Sequence, residues 1–269
     1  MTLPDPARRA TAAPVVAITG AEKVYPNGTR ALAPVDLEIR RGEFLTLLGP
    51  SGCGKTTLLN LVAGLIAPSG GTLSWWGGDF TATGVPGRRL GFVFQSPTLM
   101  PWARIEANVR LPLDLAGVDR ATATRDAVAA LAQVGLAEFT RHYPRELSGG
   151  MQMRVSIARA LATAPDLLLM DEPFGALDEF TRQRLDGELA ALWAARGLTV
   201  VFVTHSIYEA VFLSTRVAVM GPRPGRVIAD VPIDEPFPRD DAFRVSTTFS
   251  RYCQQLSTLV ARAGAGSAS

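Results

Sequence analysis

The sequence predicts an α/β fold, and two observations carry that prediction. The apolar run EFLTLLG (43–49) leads through a glycine-rich turn into KTTLLNLVAGL (55–65), which indicates a strand, a loop and a helix in direct succession. Further apolar runs at 90–94, 166–171, 199–205 and 216–220 each end near polar residues. Because ligands in such sheets bind at the carboxyl ends of the strands, the residues just after these runs are the candidates for a site.

The segment before this core predicts antiparallel strands. Within residues 15–46, VVAITGAEKVY and APVDLEIRRGEF alternate apolar and polar side chains, and YPNGTR between them has the composition of a turn. We therefore expect a small antiparallel β subdomain at the N-terminal side of the core.

Helical patterns replace strand patterns after residue 95. DRATATRDAVAALAQVGL (119–136) and GGMQMRVSIARALAT (149–163) have apolar residues three and four positions apart. This spacing predicts a mostly helical subdomain at about 96–160, inserted into the α/β core.

The rest of the chain completes the predicted domain. Residues 221–240 suggest short strands interrupted by prolines, and 241–263 suggest a closing amphipathic helix. The composition of the two ends predicts a disordered N-terminus at 1–14 and a flexible tail at 259–269. The domain would then span residues 15–258.

Composition narrows the classes of function. With 269 residues, 47% hydrophobic and 19% charged, the chain is long enough to bury a large core. Its net charge is only +2 and no basic run is interleaved with aromatic residues, so nothing favours a nucleic-acid partner. The two cysteines lack metal-ligand spacing, which favours a reducing compartment. No secretory signal and no apolar run of about 20 residues is present, so a membrane role would need another chain.

GPSGCGKTT (49–57) predicts a phosphate-binding loop. It matches G-x-x-x-x-G-K-[ST] and lies between a predicted buried strand and a helix, which makes a chance glycine-rich turn the weaker interpretation. Its backbone N–H groups and the helix N-terminus suit an anion, while Lys55 suits the outer phosphates and Thr56 suits magnesium. The residues assigned to the nucleotide are Gly49, Pro50, Ser51, Gly52, Cys53, Gly54, Lys55, Thr56 and Thr57.

LLLMDEP (167–173) supplies two carboxylates at the end of another predicted strand. Asp171 suits a magnesium shell, and Glu172 is placed to orient or deprotonate an attacking water. Acidic residues after a strand also serve as ordinary helix caps. The phosphate-binding loop upstream favours the catalytic interpretation.

With these motifs, the chain resembles the ATP-binding subunits of ABC transporters over almost its whole length. LSGGMQMR (147–154) is similar to that family's signature sequence, and four further landmarks occur along the chain in the family's order. Tyr25 corresponds to the aromatic residue that stacks on adenine, Gln95 to the Q-loop, Asp178 to the D-loop and His205 to the switch histidine. Alone, Tyr25 could be a strand residue, Gln95 a polar strand end and His205 a surface histidine.

The resemblance implies a P-loop NTPase (RecA-like) core with an N-terminal antiparallel β subdomain and an inserted helical subdomain. It implies ATP and Mg²⁺ as bound groups, with Thr56, Gln95 and Asp171 at the metal and Glu172, His205 and Lys55 in catalysis. Two copies of the chain would sandwich ATP head to tail. In that arrangement Ser148, Gly149 and Gly150 of one copy face the γ-phosphate held by the other, with Asp178 also at the nucleotide.

The resemblance also implies partners and a location. The family's importers combine this subunit with integral membrane permease subunits and, indirectly, with a periplasmic or extracellular solute-binding protein. We therefore expect the chain at the cytoplasmic face of the bacterial inner membrane, as a peripheral subunit. Leu99, Met100 and Trp102 are candidates for the groove that receives the permease, although they could equally be core residues of the helical subdomain.

MDEPFGALDEFTRQRL (170–185) and RPGRV (223–227) resemble the branch of importers for nitrate, sulfonates and taurine. Two other classes remain as alternatives. One is a soluble ABC ATPase that acts on nucleic acid or ribosomes, which the single nucleotide domain and the absence of a long heptad repeat disfavour. The other is a nucleotide sensor, in which Glu172 would be dispensable.

Overall fold

Two β-sheets of different character organise the part of the chain that the computed structural model describes, residues 13–265. The strands are β1 Val16–Val24, β2 Arg30–Ile39, β3 Phe44–Leu48, β4 Gly70–Trp75, β5 Leu90–Val93, β6 Leu167–Asp171, β7 Thr199–Thr204, β8 Arg216–Met220 and β9 Val227–Pro232. The α-helices are α1 Lys55–Val62, α2 Ile105–Leu115, α3 Arg120–Gln133, α4 Gly149–Ala162, α5 Glu179–Arg196, α6 Ile207–Leu213, α7 Asp241–Arg244 and α8 Thr247–Ala265. Short 3₁₀ turns lie at 80–82, 137–139 and 144–146.

The larger sheet has the strand order β5-β6-β7-β3-β8-β9 and is parallel except for β9. Its central strands are apolar on both faces because both faces are covered, one by helices and the other by helix α1 and the smaller sheet. On β3, Phe44 and Leu48 pack into one hydrophobic cluster, while Leu45 and Leu47 pack into the other. The strands predicted from the four apolar runs are present, and the predicted α/β class is confirmed.

The smaller sheet is antiparallel, with the order β2-β1-β4. The alternation of β1 and β2 places one face of this sheet against the core, where Ile18 and Val35 are buried. The sequence analysis did not identify β4, whose segment GGTLSW contains two glycines. The strand is held by pairing with β1 and by Trp75, whose indole Nε1 donates to the carbonyl of Val62 at 2.8 Å.

The helical segment is built from α2, α3 and α4, which pack on one another through small and branched apolar residues. Ile105 and Val109 of α2 lie against Ala127 of α3 and Ala158 of α4 in one continuous cluster. The side chain of Asn108 binds the backbone of the preceding loop, accepting from Met100 N at 2.7 Å and donating to Ala103 O at 3.1 Å. These bonds fix the loop that leads from β5 into the helices.

The C-terminal helix α8 continues past the predicted domain boundary at residue 258. It runs to Ala265 because Leu259 and Val260 continue the apolar face that packs on the core. Residues 259–265 are therefore helical rather than a tail, and 266–269 lie outside the described residues. The predicted disordered N-terminus at 1–14 lies outside them as well, apart from Ala13 and Pro14. Across residues 13–265, no helix has the length and apolar character needed to cross a membrane.

Candidate functional site

The residues predicted to bind phosphate, magnesium and the attacking water lie at the carboxyl edge of the parallel sheet. Strand β3 leads into the turn 49–54, β6 ends at Asp171, and β7 ends one residue before His205. An open cleft of about 320 Å³ lies at this edge. The residues that line it are Tyr25, Thr29, Ala31, Ser51, Gly52, Gly54, Lys55, Thr56, Thr57, Gln95, Glu172 and Arg223.

The turn after β3 wraps around the ammonium group of Lys55. Nζ donates to the carbonyls of Gly49 at 2.9 Å and Pro50 at 3.1 Å, and it lies 3.5 Å from Oε1 of Glu172. Gly54 has a φ of 100° and caps helix α1. A Cβ at this position would lie 2.9 Å from the carbonyl of Ala31, so only glycine fits there without strain. The turn thus presents its backbone N–H groups beside a buried cation, which suits a polyphosphate.

Thr56 and Asp171 form the oxygen-rich part of the cleft. Oγ1 of Thr56 donates to Oδ1 of Asp171 at 3.0 Å. Burial raises the pKa of the Asp171 carboxyl above its ordinary value, and the hydrogen bond from Thr56 lowers it in part. Gln95, which follows β5 by two residues, lines the same cleft with an exposed side chain.

This donor set fits magnesium. Hydroxyl, carboxylate and amide oxygens are its preferred ligands, and it is usually held by one or two carboxylates together with substrate phosphates. Within residues 13–265, no cluster of three or more His, Cys, Asp or Glu side chains could hold a metal by itself. An ion shared with a bound phosphate chain therefore suits this cleft better than a site made by protein side chains alone.

Glu172 is held from two sides. Its Oε2 lies 3.1 Å from Nδ1 of His205, and its Oε1 faces Lys55. Its backbone has a φ of 43°, a conformation that non-glycine residues adopt at a cost of about 1–3 kcal/mol. Hydrogen bonds from Glu172 N to Val203 O at 3.0 Å and from Gly175 N to Glu172 O at 3.1 Å hold it there.

The loop that carries His205 is fixed by a buried network. The hydroxyl of Thr204 accepts from Ser206 N at 2.9 Å and donates to the carboxylate of Glu209. The other oxygen of Glu209 lies 3.7 Å from Nε of Arg182, whose Nη2 donates to Leu177 O at 3.0 Å. The histidine loop is thereby connected to the segment that precedes Asp178.

Tyr25 lines the same cleft, beside the phosphate-binding turn. Its hydroxyl is 3.4 Å from Oγ1 of Thr57, and the ammonium of Lys23 is 5.6 Å from its ring centroid. The half-buried ring belongs to the first residue after strand β1, at the start of the turn that leads to β2. A planar ring beside a phosphate-binding turn suits stacking with a nucleobase.

The signature residues form a second surface, outside the lining of this cleft. Ser148 caps helix α4, its Oγ accepting from Met151 N at 3.3 Å. A methyl group added at Gly150 would lie 3.0 Å from Cγ2 of Thr181, so the turn packs on the start of α5. Asp178 caps that helix by accepting from Thr181 N at 3.0 Å, and this bond lowers the pKa of its carboxyl. Ser148, Gly149 and Asp178 are exposed.

Cys53 differs from the rest of the turn that contains it. Its side chain is buried in the hydrophobic cluster beneath the turn and does not line the cleft. Burial raises the pKa of its thiol, which disfavours the reactive thiolate. Its side chain therefore makes no contribution to the cleft, and its backbone N–H donates within the turn to Pro50 O at 3.3 Å.

The three apolar residues predicted for a partner groove separate by burial. Leu99 packs against the core, and Met100 has its backbone bound by Asn108, whereas the side chain of Trp102 is 77% exposed. A separate apolar groove of about 320 Å³ lies between β5, α2 and α4. It is lined by residues that the sequence analysis did not single out, among them Phe94, Leu111 and Leu115.

Arg223, Thr29 and Ala31 also line the cleft, although no sequence motif indicates them as site residues. Arg223 belongs to the RPGRV segment, whose sequence indicates only a resemblance to one branch of importers. Its Nε donates to the carbonyl of Gly52 at 3.3 Å across a separation of 171 residues. No local pattern indicates a contact of that kind.

The chain is similar to known proteins over most of its length. The family model described as ABC transporter matches residues 32–175. The taurine import ATP-binding protein TauB of Rhizobium johnstonii is 49% identical over 210 residues, which cover 78% of this chain and 79% of that protein. The aliphatic sulfonates import ATP-binding protein SsuB of Bacillus licheniformis is 43% identical over 239 residues, covering 87% and 90%.

Solved structures give the same result. The dimeric structure of an ATP-binding cassette in a post-hydrolysis state, bound to ADP and Pi, superposes with a TM-score of 0.71 at 33% identity. It covers 82% of this chain and 99% of its own. A subunit of an ABC transporter complex from Clostridium perfringens superposes with a TM-score of 0.74 at 26% identity, covering 91% and 100%.

Proposed function

This chain belongs to the ABC transporter family, and we propose that it hydrolyses ATP to power a multi-subunit importer. The observation that carries the proposal is the position of Glu172, between His205 and Lys55 and at the edge of the phosphate-binding turn. Such a carboxylate can accept a proton from a water that attacks a phosphate held by the turn.

ATP binding rests on the turn and its surroundings. The backbone N–H groups of 49–57 and the ammonium of Lys55 hold the phosphate chain, while Tyr25 stacks on the adenine. Lys55 is only 4% exposed, so its charge acts in a region of low dielectric and interacts strongly with phosphate. Thr56, Asp171 and Gln95 would hold Mg²⁺, which neutralises charge on the outer phosphates when it is bound.

In hydrolysis, three side chains have separate roles. Glu172 orients the attacking water and takes its proton. His205, through the 3.1 Å contact of its Nδ1 with Oε2, keeps the carboxylate in position. Lys55 stabilises the charge that develops on the γ-phosphate. The strained backbone of Glu172 is consistent with such a role, since strained residues cluster at functional sites.

A second copy of the chain completes the site. Ser148 and Gly149 are exposed and do not line the cleft of their own chain. Helix α4 begins at this turn, so the positive end of its dipole lies at the exposed surface. In a head-to-tail dimer this turn faces the γ-phosphate on the other copy, with Asp178 beside it. Support comes from the packing of the signature turn on the start of α5, the helix that Asp178 caps, and from the dimeric solved structures of related cassettes.

The apolar groove between β5, α2 and α4 is the proposed docking site for a permease. Leu115 is 80% exposed, and the rings of Phe92 and Phe94 lie 4.4 Å apart beside it in the lining. Arg159 of α4 donates to the carbonyls of Pro97 and Thr98, so the groove is joined to the loop that follows Gln95. A short helix of an integral membrane subunit fits a groove of this type.

The proposed cargo is a small anion such as nitrate, a sulfonate or taurine, selected by the permease and by a separate solute-binding protein. The basis is the likeness to relatives named for taurine import and for import of aliphatic sulfonates. With this assembly the chain lies at the cytoplasmic face of the bacterial inner membrane as a peripheral subunit.

Affinity purification from detergent-solubilised membranes tests this proposal. The expected result is an integral membrane chain that co-purifies with this one, together with stimulation of ATP hydrolysis by its solute-binding protein when taurine or a sulfonate is bound. Recovery of ribosomes or nucleic acid in place of a membrane chain would instead support the soluble alternative and contradict the importer.

A further inference from the structure

The hairpin between β8 and β9, residues 221–226, lies directly on the phosphate-binding turn. Gly225 N donates to Ala31 O at 2.9 Å, and Ala33 N donates to Gly225 O at 2.9 Å, which anchors the hairpin to β2. A Cβ on Gly225 would lie 2.0 Å from the carbonyl oxygen of Cys53. Only glycine permits this approach, so the tip of the hairpin is in contact with the backbone of the turn.

This contact brings a second cation to the cleft. Arg223, two residues before Gly225, lines the cleft together with Tyr25 and Lys55. Its Nε donates to Gly52 O at 3.3 Å. The charged residues in the lining are Lys55, Arg223 and Glu172, so Arg223 gives the cleft an excess of positive charge. Within the described part of the chain, the terminal nitrogens of its guanidinium have no hydrogen-bond partner.

We propose that Arg223 is a nucleotide-binding residue, whose guanidinium binds the phosphate chain held by the turn of the same copy. The inference rests on the proposed binding of ATP at this cleft. A guanidinium presents several donors in a fixed plane and is suited to phosphate oxygens, while its bond to Gly52 O fixes it at the edge of the turn. Lys55 acts from inside the turn and Arg223 from its exposed side.

The test compares affinities for ADP, because ADP retains the α- and β-phosphates and is not hydrolysed. Isothermal titration calorimetry is carried out on the monomeric chain with Mg²⁺ present, for wild type, Arg223→Ala, Arg223→Lys and Arg226→Ala. Arg226 is the matched control, since it is an exposed arginine of the same hairpin and does not line the cleft. Thermal unfolding without nucleotide shows whether each variant is folded, and Arg223→Gln replaces Arg223→Ala if that variant is not.

The expected result is an affinity about five- to tenfold lower in Arg223→Ala, partly restored in Arg223→Lys and unchanged in Arg226→Ala. The loss should shrink as ionic strength rises, because the interaction is between charges near the surface. An unchanged affinity in Arg223→Ala, or an equal loss in Arg226→Ala, would overturn the assignment. Failure of the wild-type chain to bind ADP at all would instead contradict the proposed function.

Discussion

Oε2 of Glu172 lies 3.1 Å from Nδ1 of His205, although 33 residues separate the two in the chain. The contact exists because β6 and β7 are neighbours in the parallel sheet and both end at its carboxyl edge. On its other oxygen the same carboxylate faces Lys55 at 3.5 Å. A carboxylate held in this way is available to a water at the phosphate-binding turn.

Ser148→Arg is expected to abolish ATP hydrolysis while leaving nucleotide binding by the isolated chain intact. The added bulk and charge would prevent the signature turn from approaching the partner's nucleotide, whereas the cleft of the same chain does not include Ser148. Steady-state phosphate release and ADP calorimetry measure the two properties separately. Ser257→Arg, at an exposed position of α8, is the matched control. Loss of ADP binding by monomeric Ser148→Arg would contradict the assignment.

Tyr25→Ala is expected to weaken ATP binding by about 1–3 kcal/mol, which is the usual contribution of an aromatic ring stacked on a base. Tyr25→Phe should bind ATP nearly as well as wild type, because it loses only a long contact of 3.4 Å with Thr57. Calorimetry on both variants decides the matter. If Phe and Ala weaken binding equally, the hydroxyl rather than the ring is responsible, and the stacking role is wrong.

Removal of Mg²⁺ by a chelator is expected to stop hydrolysis, and readdition should restore it. Thr56→Val and Asp171→Asn should each raise the Mg²⁺ concentration needed for half-maximal activity. Valine removes the hydroxyl oxygen, and asparagine replaces the anionic carboxylate with a neutral amide, which binds the cation more weakly. Titration of ATPase activity against Mg²⁺ gives this concentration. Unaltered Mg²⁺ dependence in both variants would exclude this pair as the metal ligands.

Trp102→Glu is expected to weaken assembly with the permease and to spare ATP binding. Trp102 does not line the proposed docking groove, but it lies on the loop that connects the lining residue Thr98 to α2, where a bound permease would extend over it. It is 77% exposed, so the substitution removes an apolar contact surface without opening the core. The amount of membrane chain recovered with the tagged variant is the measurement. Val245→Glu, at another highly exposed apolar residue, should have no effect. Normal recovery with Trp102→Glu would remove Trp102 from the interface.

Local sequence patterns were sufficient for the parts of the fold and site that are locally encoded. Strands β3 and β6 to β8 were predictable because burial on both faces requires apolar runs, and the turn at 49–57 because its backbone conformation requires glycine at Gly54. Tyr25 and Gln95 line the cleft and His205 contacts Glu172, and the roles assigned to these residues stay predictions. The structure of one copy does not show where an exposed residue such as Ser148 lies relative to a second copy.

The features that were missed depend on contacts between distant segments. Strand β4 has two glycines and little alternation, and its conformation follows from pairing with β1. Arg223 reaches the cleft only because the hairpin at 221–226 packs on the turn near Gly52. Leu99 and Trp102 are apolar residues of the same short segment, and the sequence does not show which of them is buried. In the structure Leu99 packs against the core and Trp102 lies at the surface.

The central claim is that this chain hydrolyses ATP with Glu172 as the base, and the steady-state ATPase rate of Glu172→Gln tests it most directly. Glutamine keeps the size of the side chain but cannot accept the proton, so the account predicts a rate lower by about 10²-fold or more with ATP binding retained. Equal rates in Glu172→Gln and wild type would contradict the claim.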